Sequence, residues 1–428
     1  MTKTIIFKFG GASIKDADSI KNLTEILRNR LRNRIVLVVS AMGKTTNTLE
    51  NLIRLRMKNL EYSKECTILK NFHLEICQQL FPKDHPVFPR IDNLFSQLQN
   101  QLQTSITPSN YDESYDRIVS FGELISTRII AEYLCSQDLV VVWQDARELI
   151  QTSSDFRFAK VDWEKTRKQS KRILNPILDQ FPVITQGFIG REAKCQTTTL
   201  GREGSDFSAA ILASSLDAAS VTIWKDVPGV LNADPKIFPE TQKFDELGYK
   251  EAAEMTYFGA SVIHPKTIKP LANKGIPLFV KSFLNPDAGG TKIHGQASNQ
   301  EVPAFILKKD QILITFKVTD FTFIDEGHIH QIYDRLKALK LRVNMLQLSA
   351  ISVSVVIDDE LFKLERLLNQ LKNDFEIRFN SGLELLTILN YKKIDSEPLL
   401  EGYDLLLEQT TRNTFQAVRR KIEDQEKV

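Results

Sequence analysis

Several features that would announce a function class are scarce in this 428-residue chain. The four cysteines, Cys66, Cys77, Cys135 and Cys195, are scattered and form no Cys-x-x-Cys pair. A reduced, cytoplasmic protein without a cysteine-built metal site is therefore expected. No stretch approaches the ~20 apolar residues of a membrane span, so no membrane partner is expected. The apolar N-terminal run is interrupted by Lys8, which argues against a secretory signal. Formal net charge is only +2, which gives no electrostatic reason to expect nucleic acid. Six histidines occur, with no HExxH and no cluster, so no histidine-built metal centre is expected. No tract is of low complexity.

What is present is an ordinary globular composition, 42% hydrophobic and 26% charged, over a length that calls for two or three domains. Residues 4–9 (TIIFKF) read as a strand, Gly10-Gly11 as a turn without side-chain bulk, and the stretch from about Asp18 as a helix with Ile20, Leu23, Leu27 and Leu31 on one face. Residues 35–39 (IVLVV) read as the next strand. This β-loop-α-β order predicts a buried, parallel α/β sheet. Residues 48–110 carry apolar residues at helical spacing and few strand signals. They predict a helical insertion, a lid or wall beside a site, with Pro82, Pro86 and Pro89 marking a loop. A helix over 117–134, a buried strand over 139–143, a polar helix over 160–181 and a buried strand over 182–189 follow. Residues 221–224 and 277–283 read as further strands.

The candidate chemistry sits on turns after strands. Residues 197–206 (TTTLGREGSD) place two glycines, a cation, a hydroxyl and a carboxylate just before an Ala/Leu/Ile-rich helix. Helix N-termini present unpaired N–H groups and suit anions. Arg202 could fork onto a carboxylate or phosphate, and Asp206 could orient a cation. Ser205 could equally be a plain N-cap. Lys8 could reach phosphate held over Gly10 and Gly11, or be an outward-facing strand lysine. Ser40 and Thr46 follow the second strand as polar candidates or helix caps. Gly43-Lys44-Thr45 is no Walker A motif, because the required earlier glycine position is Val38. Glu123 stands at capping-box spacing from Ser120. A glycine at 122 would also let a ligand approach it. Residues 225–236 form a long, proline-interrupted loop after a strand, the place where open α/β sheets bind nucleotides.

The C-terminal third changes character. Strands over 312–318, 342–348, 351–357 and 375–379 and helices over 326–339 and 361–371 make a βαββαβ, ferredoxin-like module. A partial second set follows: strands over 385–390 and 405–408, a final helix from about Thr414, and a charged tail over 423–428.

Taken together, the motifs resemble aspartate kinase, in the amino-acid kinase family. Lys8-Phe9-Gly10-Gly11-Ala12-Ser13 is similar to that family's KFGGTS, Ser120-Phe121-Gly122-Glu123 to S-x-GE, and Gly201-Arg202-Glu203-Gly204-Ser205-Asp206 to GRGGSD. Lys225-Asp226-Val227-Pro228-Gly229 with Asp234-Pro235 is similar to TDVPG…DPR, and residues 258–265 (FGASVIHP) to FGAKVLHP. The resemblance implies a three-layer αβα kinase fold with a mostly parallel sheet over 1–300, its helical insertion at about 48–115. It implies an ACT regulatory region over 301–428, one module complete and one truncated. It implies transfer of the ATP γ-phosphoryl group to the side chain of L-aspartate, the first step toward lysine, threonine and methionine. Lys8 and Asp206 would be catalytic. Ser40, Thr46, Glu123 and Arg202 would bind aspartate. Lys8, Gly10, Gly11, Lys225, Asp226, Leu231 and Lys236 would bind ATP. Magnesium would be held mainly by the ATP phosphates, with no direct side-chain ligand expected. The ACT region implies a homodimer.

Departures from the family pattern carry expectations of their own. Glu203 stands where glycine is usual, Ser261 where lysine often reaches the nucleotide, Leu231 where tyrosine is frequent and Lys236 where arginine is usual. Asn344 stands where Asp is common, and Leu348-Ser349-Ala350-Ile351-Ser352-Val353 where the family has TSEVSV. These losses predict weak or absent lysine feedback. The alternatives are a kinase of another amino acid, acetylglutamate or glutamate for example, and a catalytically impaired ACT-containing amino-acid sensor.

Overall fold

The computed structural model describes residues 3–28, 30, 34–260, 263–297, 302–319, 322–393 and 397–422. Leu31, Ser261 and the tail after residue 422 lie outside them. The chain divides into two compact units: Met1–Val230, Lys243–Ala253 and Ser261–Asn299, and Leu231–Gln242, Glu254–Ala260 and Gln300–Val428. The main seam is thus at 299/300, and two short segments expected with the first part group with the second.

The first unit opens with β1 (Ile5–Phe9), a 3-10 turn at Gly11–Ile14, α1 (Ala17–Arg28) and β2 (Ile35–Val39). Side chains alternate across a strand. Phe7 and Phe9 of β1, with Ile35, Leu37 and Val39 of β2, join a core shared with α1. Lys8, between two of these, is turned to the opposite face, where its only route is toward another element. The insertion is helical, as α2 (Thr45–Met57), α3 (Ser63–Leu80) and α4 (Val87–Gln103), followed by the long α5 (Tyr111–Ser136). Pro82 and Pro86 stand in the α3–α4 connection. Pro89 falls in the first turn of α4 instead, where its missing N–H would be unpaired anyway.

The strand expected over 139–143 is shorter, β3 (Val142–Gln144), and only half-buried because it is the sheet edge. After α6 (Ala146–Leu149) and α7 (Trp163–Leu178) comes β4 (Val183–Gln186). The apolar run to Ile189 does not feed the Gly201 turn directly. A small antiparallel hairpin, β5 (Ile189–Arg191) with β6 (Thr197–Thr199), intervenes before α8 (Gly204–Leu216). Then follow β7 (Ser220–Lys225), β8 (Glu246–Gly248), α9 (Tyr249–Phe258), α10 (Pro265–Ala272), β9 (Leu278–Ser282) and β10 (Thr291–His294). The sheet order is β3-β4-β2-β1-β7-β9-β10-β8. All neighbours are parallel except β9 and β10. The sheet is therefore the mostly parallel α/β sheet expected.

The second unit contains β11 (Ala304–Val318), α11 (Glu326–Ala338), β12 (Val343–Leu348), β13 (Ser352–Asp358), α12 (Leu361–Leu371), β14 (Phe375–Leu389), β15 (Tyr403–Thr410) and β16 (Thr414–Lys421). One antiparallel sheet runs β12-β13-β11-β14-β16-β15. Its first four strands have the ferredoxin-like order, with α11 and α12 packed on them through Ile332, Leu336, Leu364 and Leu367. Two expectations fail here. The strands expected at 375–379 and 385–390 are one, because β14 continues through register shifts near Gly382 (φ 66), matched in β11 by shifts around Asp310 (φ 53) and Gln311. The final helix is instead β16. Its residues pair on both sides, with β14 and β15, and that pairing outweighs the helical propensity of Ala417 to Lys421. Between β14 and β15 only 3-10 turns occur among the described residues, at Tyr391–Lys393 and Glu397–Leu399.

Candidate active site

The turn after β6 is held open by backbone that few residues adopt. Gly201 has φ 78, and a Cβ there would lie 2.9 Å from the Phe158 ring and 3.1 Å from the Arg157 carbonyl. Only glycine fits. Glu203 has φ 53 and occupies the N-cap position of α8 without a side-chain cap bond. Ser205, expected as the cap, lies inside the first turn, packed where a Cβ on Gly187 would collide with it.

From that first turn, Asp206 meets Lys8. Their Nζ–Oδ1 distance is 2.7 Å, and both side chains are nearly excluded from solvent. This partner explains why Lys8 is not an outward-facing strand lysine. Lys225, at the end of β7, stands 4.0 Å from Asp206 Oδ2. Burial lowers its pKa, and Asp206 opposes that shift. Gly11 has no room for a side chain, since a Cβ would sit 2.7 Å from the Ala41 carbonyl.

Glu123 is in the middle of α5, so it is not part of a capping box. Oε1 accepts from the Ala41 N–H (3.2 Å), while buried Oε2 has no partner among the described residues. Burial pushes its carboxyl up to about 8. The neighbouring Gly122 makes room for protein rather than ligand: a Cβ there would lie 2.8 Å from Ala41 and 3.2 Å from Thr45.

One cavity of about 550 Å³ is lined by Lys8, Gly11, Ser40, Thr46, Glu123, Arg202, Asp206 and Lys225. The structure thus brings eight of the twelve sequence-derived residues together. Gly10 adjoins the Lys8 ammonium, 3.2 Å from where its Cβ would be. Asp226 is exposed on the loop after β7. Leu231 and Lys236 belong to the second unit, half-buried and exposed respectively. None of these four lines the cavity. Ser261, a departure noted above, is outside the described residues.

Some cavity residues escaped the sequence reading: Tyr115, Arg157, Phe158 and Phe188, while Thr199 fell within the candidate stretch 197–206 without a role. Behind them is Asp116, fully buried. Its Oδ2 accepts from the Thr199 N–H (2.7 Å) and the Arg157 N–H (2.9 Å), and its Oδ1 from the Thr199 hydroxyl (2.6 Å). Burial raises its pKa to about 6 against these bonds. Asp116 therefore ties the Arg157–Phe158 loop to the strand that carries the Gly201 turn. Its seven-residue spacing from Glu123 places both on one face of α5, a signal the sequence did contain.

The family model described as Amino acid kinase family matches residues 3–282. The chain belongs to the amino acid kinase family. Among similar proteins is Lysine-sensitive aspartokinase 3 of Escherichia coli, 31% identical over 398 residues, which are 91% of this chain and 87% of the relative. Aspartokinase 2, chloroplastic, of Arabidopsis thaliana is 31% identical over 366 residues, 83% of this chain and 66% of that one. The structure of E. coli aspartokinase III with aspartate and ADP superposes with a TM-score of 0.85 at 29% identity, over 97% of this chain and 96% of the other. Its complex with lysine and aspartate gives 0.80 at 30% identity, over 97% and 95%. In this amino acid kinase, residues of the motifs at 8–13, 120–123 and 201–206, together with Lys225, line one cavity.

Proposed function

We propose that this chain is an aspartate kinase. It transfers the γ-phosphoryl group of ATP to the side-chain carboxylate of L-aspartate, giving 4-phospho-L-aspartate and ADP, at the entry to lysine, threonine and methionine synthesis. The observation that carries the reading is one cavity holding two kinds of group. A buried Lys8–Asp206 ion pair suits a phosphoryl group, and Arg202 with a buried, half-unpartnered Glu123 suits an amino acid.

The acceptor carboxylate is already a nucleophile at neutral pH, so no general base is needed. Catalysis is then positioning plus neutralisation of charge on the transferring group. Lys8 stabilises that charge, and Asp206 holds the ammonium in place. Arg202 clamps the α-carboxylate of aspartate as a fork. Glu123 receives the ammonium, which restores its ionised form. Ser40 and Thr46 orient the amino acid. Gly10 and Gly11 present N–H groups to the nucleotide, and Lys225, Asp226, Leu231 and Lys236 serve it from the strand end and loop that follow β7. Magnesium bound with the nucleotide would supply further charge neutralisation on the phosphates. The ion would be held mainly by the nucleotide phosphates, beside the Lys8–Asp206 pair.

The C-terminal unit acts as an ACT-type regulatory region, and the protein is a cytoplasmic homodimer paired through it, which light scattering after size exclusion measures. No described helix is long and apolar enough to cross a membrane.

Incubation with ATP, magnesium and hydroxylamine tests the reaction. Aspartate should give a hydroxamate, glutamate and acetylglutamate little or none; no aspartyl hydroxamate rejects the proposal. Arg202→Ala should raise the aspartate KM about a hundredfold and the ATP KM less than threefold. Equal effects on both would refute its role.

A further inference from the structure

Glu203 is the one cavity carboxylate that the proposed mechanism leaves without a task. It is not a solvent-facing loop residue, since its side chain lines the cavity and its Oε2 is buried without a hydrogen-bond partner among the described residues. It is not a helix cap either, because it makes no cap bond. Its backbone is left-handed (φ 53), and its side chain lines the cavity.

The charges acting on it are those a polyphosphate would meet. Burial raises the pKa of Glu203. Lys225, Arg202 and Lys8 oppose that shift, and Asp206 reinforces it. The cavity lining holds four cations, Lys8, Arg157, Arg202 and Lys225, against the carboxylates of Asp206 and Glu203 and the carboxyl of Glu123, which burial keeps protonated near neutral pH. Asp206 is committed to Lys8, and Glu123 to the Ala41 amide. Glu203 is therefore the carboxylate that sets how much net positive charge remains for a ligand.

We propose that Glu203 makes this site selective for the metal-complexed nucleotide over the free one. Resting on the nucleotide reading above, the argument is electrostatic. Free ATP brings about four negative charges at neutral pH, and magnesium cancels two of them; repulsion from a fixed carboxylate scales with the charge that is left. Glu203 thus penalises the uncomplexed tetra-anion about twice as strongly as the magnesium complex. The cations of the cavity still attract both. A site with glutamine here would accept free ATP as a non-productive competitor.

The test is equilibrium binding of ATP to the full chain by titration calorimetry, once with excess magnesium and once with excess EDTA. Wild type, Glu203→Gln, Glu203→Gly and Glu203→Asp are compared. The Gln and Gly variants should bind free ATP about tenfold more tightly and MgATP no more than about threefold more tightly. The Asp variant should retain the wild-type ratio. The difference should shrink as salt is raised from ~0.05 to ~0.5 M, because the interaction is screened. Agreement between Gln and Gly shows that charge, not backbone relief, is responsible. An unchanged ratio in Glu203→Gln overturns the proposal. So does weakened MgATP binding in that variant, which would make Glu203 a direct ligand of the ion. If no variant, wild type included, binds either form, the nucleotide reading of the cavity fails and the proposal with it.

Discussion

The cavity around Lys8 and the polar cluster around Asn344 are made of the same kinds of group and end in opposite states. In the second unit, Lys308 Nζ donates to Asn344 Oδ1 (2.8 Å), and Asn344 Nδ2 donates to Gln311 Oε1 and Asp358 Oδ1 (both 2.8 Å). Gln311 Nε2 closes the ring onto Asp358 (3.0 Å). Burial alone would raise the pKa of Asp358; the donors Gln311, Asn344 and Lys308 outweigh it and hold the carboxyl below its ordinary value. In the first unit, Glu123 is buried more completely and has one backbone donor, so burial wins and its carboxyl rises to about 8. Deeper burial and fewer donors at Glu123, against half-burial and three donors at Asp358, together separate the two outcomes. A closed polar cluster is structural, and an open one awaits a ligand.

The sharpest way to break this contrast is at Lys8. Lys8→Ala should lower kcat by about 10³-fold in the hydroxamate assay, as expected for removal of a preorganised charge. It also strands Asp206 in a buried setting, at about 3–5 kcal/mol of unfolding free energy. A loss of activity below tenfold would mean that the ion pair is structural, like the Asn344 cluster.

Glu123 gives the pH signature. Its native carboxyl stays protonated up to about pH 8, whereas in the unfolded chain it ionises near the ordinary glutamate value of 4.5. Between these values the native state holds the extra proton, so its contribution to stability is full below 4.5 and is lost as pH rises toward 8. The loss is bounded at about 4 kcal/mol between pH 5 and 8. Glu123→Gln should therefore gain stability relative to wild type as pH rises, in denaturant melts at successive pH values. Aspartate binding to wild type at pH 7 should release a proton, visible as a buffer-dependent heat. A parallel pH dependence for variant and wild type would show that Glu123 is already ionised.

Asn344→Ala opens the closed cluster. It should cost about 1–3 kcal/mol of stability and leave kcat and the aspartate KM within twofold. Because Asn344 spends its amide on Gln311, Lys308 and Asp358, titrating lysine to 1 mM should leave wild-type activity unchanged. Clear inhibition at sub-millimolar lysine would show that the cluster opens for an effector after all.

The smallest effect belongs to Glu203→Gly. A non-glycine residue at φ 53 carries a conformational cost, so the variant should be more stable by about 1 kcal/mol. No gain in melting temperature would mean that the inward carboxylate stabilises the empty site enough to offset the strain.

Much of this was legible along the chain. The period-2 run of β1 and the apolar run of β2, the helical periods of α1 and of the insertion, and the glycines on strand-to-helix turns all encode element type locally. Lys8, Glu123, Arg202 and Asp206 were legible because each sits at a strand end, on a turn or beside a glycine. Other features depended on partners distant in sequence. Asp116 is tied to Thr199 across 83 residues. Pairing on both sides made β16 a strand, and β14 runs unbroken only because β11 pairs along its whole length. The sequence by itself determined which elements form and which residue types gather at their ends, because period and turn chemistry act over a few residues. Only the tertiary structure decided that Glu203 lines the cavity, that Gly122 serves packing and that Glu123 Oε2 has no partner among the described residues. Burial, backbone sign and the supply of donors are properties of neighbours that the chain brings together only when folded.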